Sequence, residues 1–189
     1  KDKTILITGV AGTVGKELLR QLITREYRVV GIDNDEAGLF NLILDYQNNP
    51  TVSFFLCDIR SEADLDKFVA KCDIVFHLAA LKHVSLCEVA PEQAVQTNIL
   101  GTQNIVNLAL KYSIEKVIFT SSDKAVNPTN VMGTSKLMAE RIITSANANS
   151  SSTIFSSTRF GNVLGSSGSV VPIFTKQILD GVPITITDL

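Results

Sequence analysis

The stretch Thr4–Gly15, TILITGVAGTVG, decides the fold. A five-residue aliphatic and β-branched run, Thr4–Thr8, ends on Gly9, Gly12 and Gly15, and a helical pattern, Thr13–Thr24, begins among them. A G-x-x-G-x-x-G turn between a strand and its helix lets backbone amides and a helix N-terminus approach a pyrophosphate. Tight-turn geometry alone would explain any two of the three glycines. The next strand pattern, Arg28–Ile32, runs into Asp33. There a carboxylate can accept hydrogen bonds from both adenosine ribose hydroxyls and would repel a 2′-phosphate, which favours NAD over NADP. A plain loop cap is the alternative for Asp33, and a turn cap the alternative to an adenine-edge contact for Asp58 in CDIR.

Outward from this unit the same alternation repeats. Strand patterns at Val52–Leu56, Asp73–His77, Lys116–Thr120 and Thr153–Arg159 are separated by helical patterns at Glu36–Asn48, Glu62–Ala70, Pro91–Lys111 and Val131–Asn147. Right-handed crossovers turn such an order into an α/β doubly wound parallel sheet with helices on both faces. After Arg159 comes the Gly/Ser-rich GNVLGSSGS, then a helix near Val170–Asp180 and a short strand at Ile184–Thr187. Residues 1–160 therefore read as an NAD-binding Rossmann domain, and 161–189 as the start of a substrate-binding region.

Composition excludes several classes. Of 189 residues 45% are hydrophobic and 19% charged, with net charge -2 and no Lys/Arg cluster, so no nucleic-acid footprint is present. The apolar runs Ile114–Thr120 and Asp73–Leu81 are strand-sized, far below the roughly 20 residues of a membrane span, and no signal peptide is expected ahead of TILITG. Cys57, Cys72 and Cys87 lack C-x-x-C spacing and read as reduced structural thiols of a cytoplasmic protein. With only His77 and His83 and no clustered Cys or Asp, no metal site is expected; His77 reads as a strand-core histidine and His83 as a mouth or loop residue.

In a doubly wound sheet, chemistry sits just beyond the strand ends. Those segments read TGVAGTVG, DNDE, CDIR, HLAALKH and TSSDKAVNP. The segments TGVAGTVGKEL, HLAALKHVSLCE, TNILGT, SSDKAVNPTNVMGTSK and RFGNVLGSSGSVVPIF, spanning nearly the whole chain, resemble the extended short-chain dehydrogenase/reductases. Within them they are similar to the UDP-N-acetylglucosamine 4,6-dehydratases of capsule and glycan biosynthesis.

The resemblance implies bound NAD, a UDP-sugar substrate and three events: hydride loss from sugar C4, elimination of water across C5–C6, and hydride return to C6. It assigns Asp123 as the acid for the leaving hydroxyl, Lys124 as the C5 base, Ser122 to the C4 oxygen and Lys136 to the nicotinamide ribose. Met132 stands where the wider family usually carries tyrosine, and a thioether has no proton to exchange. The resemblance is to a dehydratase branch with methionine in that place, which leaves the acid–base steps to Asp123 and Lys124 and the C4 hydroxyl proton to Asp123 through Ser122. Lys124 would then have to be partly neutral and Asp123 protonated, whereas a surface Asp-Lys pair favours both charges. Cofactor contacts are expected from Gly9, Gly12, Thr13, Val14, Gly15, Asp33, Asp58, Ile59, Ala79, Ala80, Lys82, Asn98 and Lys136. Substrate contacts are expected from Lys82, His83, Asn162, Ser169 and Val170, with Arg159 in matching frame. A flexible connector is the alternative for the Gly/Ser loop. Relatives of this type continue past the final strand, and many carry an N-terminal membrane anchor, which would set the parent on the cytoplasmic face. Helices Pro91–Lys111 and Val131–Asn147 are apolar enough to pair in a homo-oligomer or to face the core. A UDP-sugar 4-epimerase, which needs no C5 base, and a non-catalytic NAD or UDP-sugar-binding module, favoured by Met132, are the competing readings.

Overall fold

The computed structural model describes residues 3–166 and 169–186. Six strands, β1 (Thr4–Thr8), β2 (Arg28–Asp33), β3 (Val52–Leu56), β4 (Ile74–His77), β5 (Lys116–Ser122) and β6 (Ile154–Phe160), form one parallel sheet in the order β3-β2-β1-β4-β5-β6. Alternation along the strands divides the core. Ile5, Ile7 and Val29 pack with Leu19 and Leu22 of helix α1 (Thr13–Thr24) and Leu39 and Leu42 of α2 (Glu36–Asp45). Leu6, Val75, Val117 and Phe119 face the other layer, α3 (Glu62–Val69), α6 (Gly101–Lys111) and α7 (Val131–Ala148). The chain order reverses between β1 and β4, the switch point at whose carboxyl ends sheets of this kind place their ligands.

Local chemistry sets the helix starts. Asp35 accepts the Gly38 amide at 3.0 Å, Ser61 the Asp64 amide at 3.3 Å and Asn130 the Gly133 amide at 2.8 Å. Helix α1 instead begins after Gly12 with no side-chain cap, which leaves its first amides facing the switch point.

The structure departs from expectation in three places. A helix not anticipated, α4 (Val84–Val89), follows the β4 loop. The continuous helix expected over Pro91–Lys111 is α5 (Pro91–Ala94), a π-helical turn Val95–Leu100, and then α6. Of the strand expected at Ile184–Thr187, Ile184–Ile186 pair with nothing in the sheet, and Thr187 lies outside the described residues. The apolar residues that suggested helix pairing, Ile105, Val106 and Leu108 of α6 and Ala139, Ile143 and Ala146 of α7, lie in the chain's own core. Helix α8 (Val170–Leu179) buries no residue. Among the described residues no helix is long and apolar enough to cross a membrane.

Candidate active site

The glycine loop is shaped by what surrounds it. Gly9 has φ +73°, and a Cβ there would lie 2.7 Å from the Ala79 amide, so the loops after β1 and β4 touch through a residue that only glycine fills. A Cβ on Gly15 would come within 2.7 Å of Val10 and closer still to the Gly9 carbonyl. Gly12 is less crowded: its Cβ would meet only the Gly9 carbonyl, at 3.3 Å, a tight contact with backbone. With the uncapped α1, this cradle fits the pyrophosphate of a dinucleotide such as NAD. Thr13, Val14 and Gly15 supply its helix-start amides.

Asp33 fills the loop-cap role and keeps the capacity for the ribose role. Its Oδ2 accepts the Ala11 amide at 2.9 Å and its Oδ1 the Asp35 amide at 3.0 Å, which orients the carboxylate and leaves each oxygen a second lone pair for a ribose hydroxyl. Asp58 is more committed. Arg60 donates to it from Nε at 2.8 Å, Nη2 at 2.5 Å and the backbone amide at 2.9 Å, and these hydrogen bonds hold its carboxyl below the usual range. The turn-cap role is thus the one formed here. The Ile59 side chain is buried against Gly101, so only its backbone is left to meet a cofactor. Ala79 and Ala80 are half-buried beside the glycine loop, whereas Lys82 and His83 stand exposed at the mouth.

At the end of β5 the Ser122 hydroxyl donates to Asp123 Oδ1 at 2.9 Å, and Lys124 Nζ donates to the same oxygen at 3.1 Å. The hydroxyl and then the ammonium hold Asp123 below the ordinary carboxylate range. This corrects the expected proton on Asp123, which is ionised, and the Lys124 side chain, 40% exposed, lacks the burial expected of it. The lysine that does meet that condition is Lys136. Its Nζ donates to the Thr120 carbonyl at 2.6 Å and lies 4.3 Å from the Phe119 ring centre, two contacts that favour the cation. Burial outweighs them and draws its pKa down to about 7.

Asn98 occupies the π-helical turn. Its side chain accepts the Leu81 amide at 2.8 Å, donates to the Leu81 carbonyl at 3.0 Å and donates to Ser135 Oγ at 2.9 Å, joining the β4 loop to the helix that carries Lys136. Irregular turns of this kind persist where side chains over-determine them. Met132 is buried with Cys87 and Ala94 in a small apolar cluster against Val84 and Val131. A Met132→Tyr substitution should therefore leave turnover no higher and lower stability by about 1–3 kcal/mol, because a larger ring and an unpaired hydroxyl enter a dry pocket. Urea midpoints beside turnover rates check this.

The sequence reading missed Glu140. It is buried on α7 and held by Arg159 through Nε at 2.8 Å and Nη2 at 2.7 Å, which lowers its pKa. Arg159 therefore joins β6 to α7 instead of standing free for a diphosphate. The i, i+4 spacing of Lys136 and Glu140 was visible, but their burial was not. Asn162 is exposed in the loop after β6, and Val170 is exposed at the start of α8. Ser169, before α8, has a buried hydroxyl with no hydrogen-bond partner. Ser167 and Gly168 of the same loop lie outside the described residues. No group of three or more His, Cys, Asp or Glu that could hold a metal occurs among the described residues. Burial pushes the Cys57 and Cys72 thiols up to about 11 and about 12, so both are inert.

The six-stranded order, the glycine cradle against β4 and the Lys136 helix define an extended short-chain dehydrogenase/reductase. More narrowly, the chain belongs to the polysaccharide biosynthesis protein family, whose description matches residues 5–189. It is 46% identical to an uncharacterised membrane protein of Methanocaldococcus jannaschii and 39% identical to a UDP-glucose 4-epimerase of Rickettsia canadensis, in each case over 99% of this chain and 57% of the relative. It is 38% identical to the capsular polysaccharide biosynthesis protein CapD of Staphylococcus aureus, over 98% of this chain and 32% of the relative. The chain thus spans little more than half the length of these relatives, or less. Among solved structures it is similar to Pen from Bacillus thuringiensis (44% identity, TM-score 0.97, all of this chain and 60% of that one). It is also similar to a UDP-glucuronic acid 4-epimerase from Bacillus cereus in complex with UDP-glucuronic acid and NAD (27% identity, TM-score 0.88, 97% of this chain and 65% of that one).

Proposed function

We propose that this chain is the cofactor-binding part of an NAD-dependent nucleotide-sugar 4,6-dehydratase that converts UDP-N-acetylglucosamine to UDP-2-acetamido-2,6-dideoxy-4-keto-hexose. Residues 161–189 begin its substrate region. The observation that carries the reading is the Ser122–Asp123–Lys124 cluster at the end of β5, which offers a C5 base, Lys124, that C4 hydride chemistry alone does not need. The NAD-bound epimerase from Bacillus cereus and CapD from Staphylococcus aureus support the cofactor and the pathway class.

Bound NAD supplies a hydride acceptor for C4 and a donor for C6. The glycine loop and Asp33 hold its pyrophosphate and ribose, and Lys136 and Asn98 order the nicotinamide end. Oxidation at C4 releases the hydroxyl proton, which Ser122 relays to the ionised Asp123 along their 2.9 Å hydrogen bond. The ketone makes the C5 proton acidic, because the carbanion is conjugated with it. Cover by the sugar, which excludes water, favours a neutral Lys124, whose own proton leaves to solvent as the sugar binds. Lys124 then takes the C5 proton, Asp123 passes the C4 proton to the departing C6 oxygen, which leaves as water, and Lys124 returns a proton to C5 as the hydride adds to C6.

The second reading, a UDP-sugar 4-epimerase, is favoured by the name of the Rickettsia relative. A protein of the relatives' full length, incubated with NAD and UDP-N-acetylglucosamine in deuterated water, separates the two. Loss of one water with deuterium at C5 supports the dehydratase. A product of unchanged mass with inverted C4 overturns it in favour of the epimerase, and binding without turnover leaves a non-catalytic module. On the cofactor side, calorimetric titration of this chain should give NAD binding at least about tenfold tighter than NADP, and Asp33→Ser should shrink that ratio. Equal affinities in the unsubstituted chain would remove the role assigned to Asp33.

A further inference from the structure

His77 is fully buried at the end of β4, in register with Thr8 of β1 on one side and Phe119 of β5 on the other. Its Nδ1 lies 2.8 Å from Thr8 Oγ1 and its Nε2 lies 3.0 Å from Thr102 Oγ1. The direction of each bond follows from counting protons. Thr8 Oγ1 receives the Ala79 amide at 3.1 Å and shares the Leu78 amide, also at 3.1 Å, with the Thr8 carbonyl, so it is already an acceptor and its own proton goes to Nδ1. The imidazole proton is then on Nε2 and is donated to Thr102. That hydroxyl passes its proton on to the Asn98 carbonyl at 2.7 Å. One directed chain thus runs from the loop where Gly9 touches Ala79 to the π-helical turn. From there the Asn98 side chain reaches Leu81 and Ser135, and Ser135 donates to the Met132 carbonyl at 2.7 Å.

We propose that His77, as the Nε2–H tautomer, is a positioning residue that couples the spacing of the two cofactor-facing loops to the π-helical turn holding Asn98. An apolar side chain could fill the same volume, but it would leave the Thr8 and Thr102 hydroxyls without a partner. A doubly protonated ring would present Thr8 with a third donor, and burial, aided by the Lys136 charge, holds His77 neutral with a pKa of about 3. The cofactor arm of the proposal rests on the NAD reading above; the polarity of the chain does not.

The test uses this chain, nitrogen NMR of the histidine rings, NAD titration and amide exchange at Leu81. The unsubstituted protein should show Nδ1 bare and Nε2 protonated at His77; the opposite tautomer overturns the proposal, whatever the variants do. Asparagine places its amide oxygen near Nδ1 and keeps the Thr8 arm, whereas glutamine reaches the Nε2 position and keeps the Thr102 arm. His77→Gln should weaken NAD binding about tenfold with Leu81 exchange unchanged, and His77→Asn should speed Leu81 exchange about tenfold with NAD affinity held within about threefold. Equal effects of both variants on both readouts would mean a space-filling role and overturn the coupling. Absence of NAD binding by the unsubstituted chain would instead defeat the functional reading, with the tautomer and Leu81 exchange still deciding the relay.

Discussion

Lys124→Ala should lower turnover by about a thousandfold or more in a protein of the relatives' full length, and with it should go deuterium incorporation at sugar C5. The group is placed for this by its neighbours. Lys124 follows the last residue of β5 by two positions, its amide tied to Asp123 Oδ1 at 2.9 Å and its Nζ to the same oxygen. Gly133 lets α7 abut this turn, since a Cβ there would lie 2.5 Å from the Lys124 carbonyl. Asp123→Asn should fail in the same way: with no carboxylate to take up a proton, exchange at C5 and loss of water both fall about a hundredfold or more. Mass spectrometry of the products reads both quantities. If Lys124→Ala kept a tenth of the parent turnover, the C5 base would have to be another group. Lys136, with its pKa near 7, would be the first to test.

Lys136→Met should make the protein more stable and less active. Sign and window follow from the two states. Unfolded, the amine has a pKa near 10.4; folded, burial brings it to about 7. Below pH 7 it is an ammonium in both states, and the fold bears the whole desolvation cost. Between pH 7 and about 10.4 the unfolded chain binds more protons than the folded one, so stability rises with pH as that cost disappears. Methionine, of similar length and without charge, removes the cost at every pH. Its advantage should be of order 4 kcal/mol below pH 7, reduced by about 1 kcal/mol for the Thr120 carbonyl left without its donor, and should shrink steadily toward pH 10. Urea unfolding across that range measures it. A variant less stable than the parent in acid would show that the Thr120 and Phe119 contacts outweigh burial. Loss of turnover beside a gain in stability is the usual relation at a functional site.

Much of the architecture was legible because it rests on local periodicity. Alternating and helical patterns located all six strands of the sheet to within a residue or two, and the long helices other than the interrupted one. The interruption was not legible. The side chains from Pro91 to Lys111 keep a helical rhythm, and the extra backbone residue per turn at Val95–Leu100 accompanies contacts Asn98 makes with Leu81 and Ser135, 17 and 37 positions away. Ile184–Ile186 alternates as a strand should, but a strand needs a neighbour to pair with, and alternation cannot supply one.

For the site, the sequence by itself determined the glycine cradle, Asp33, and the adjacency of Ser122, Asp123 and Lys124, because turn chemistry and chain neighbours set these within a few residues. Only the tertiary structure decided the charge states. How far a lysine is depressed depends on how much water the folded chain removes from it, and Lys136 is buried whereas Lys124 lies in a half-exposed ion pair. The same holds for Met132, packed dry against Cys87, and for Glu140, gripped by Arg159 from the neighbouring strand. Burial and long-range pairing are properties of the assembled sheet and helices, and no spacing within the chain encodes them.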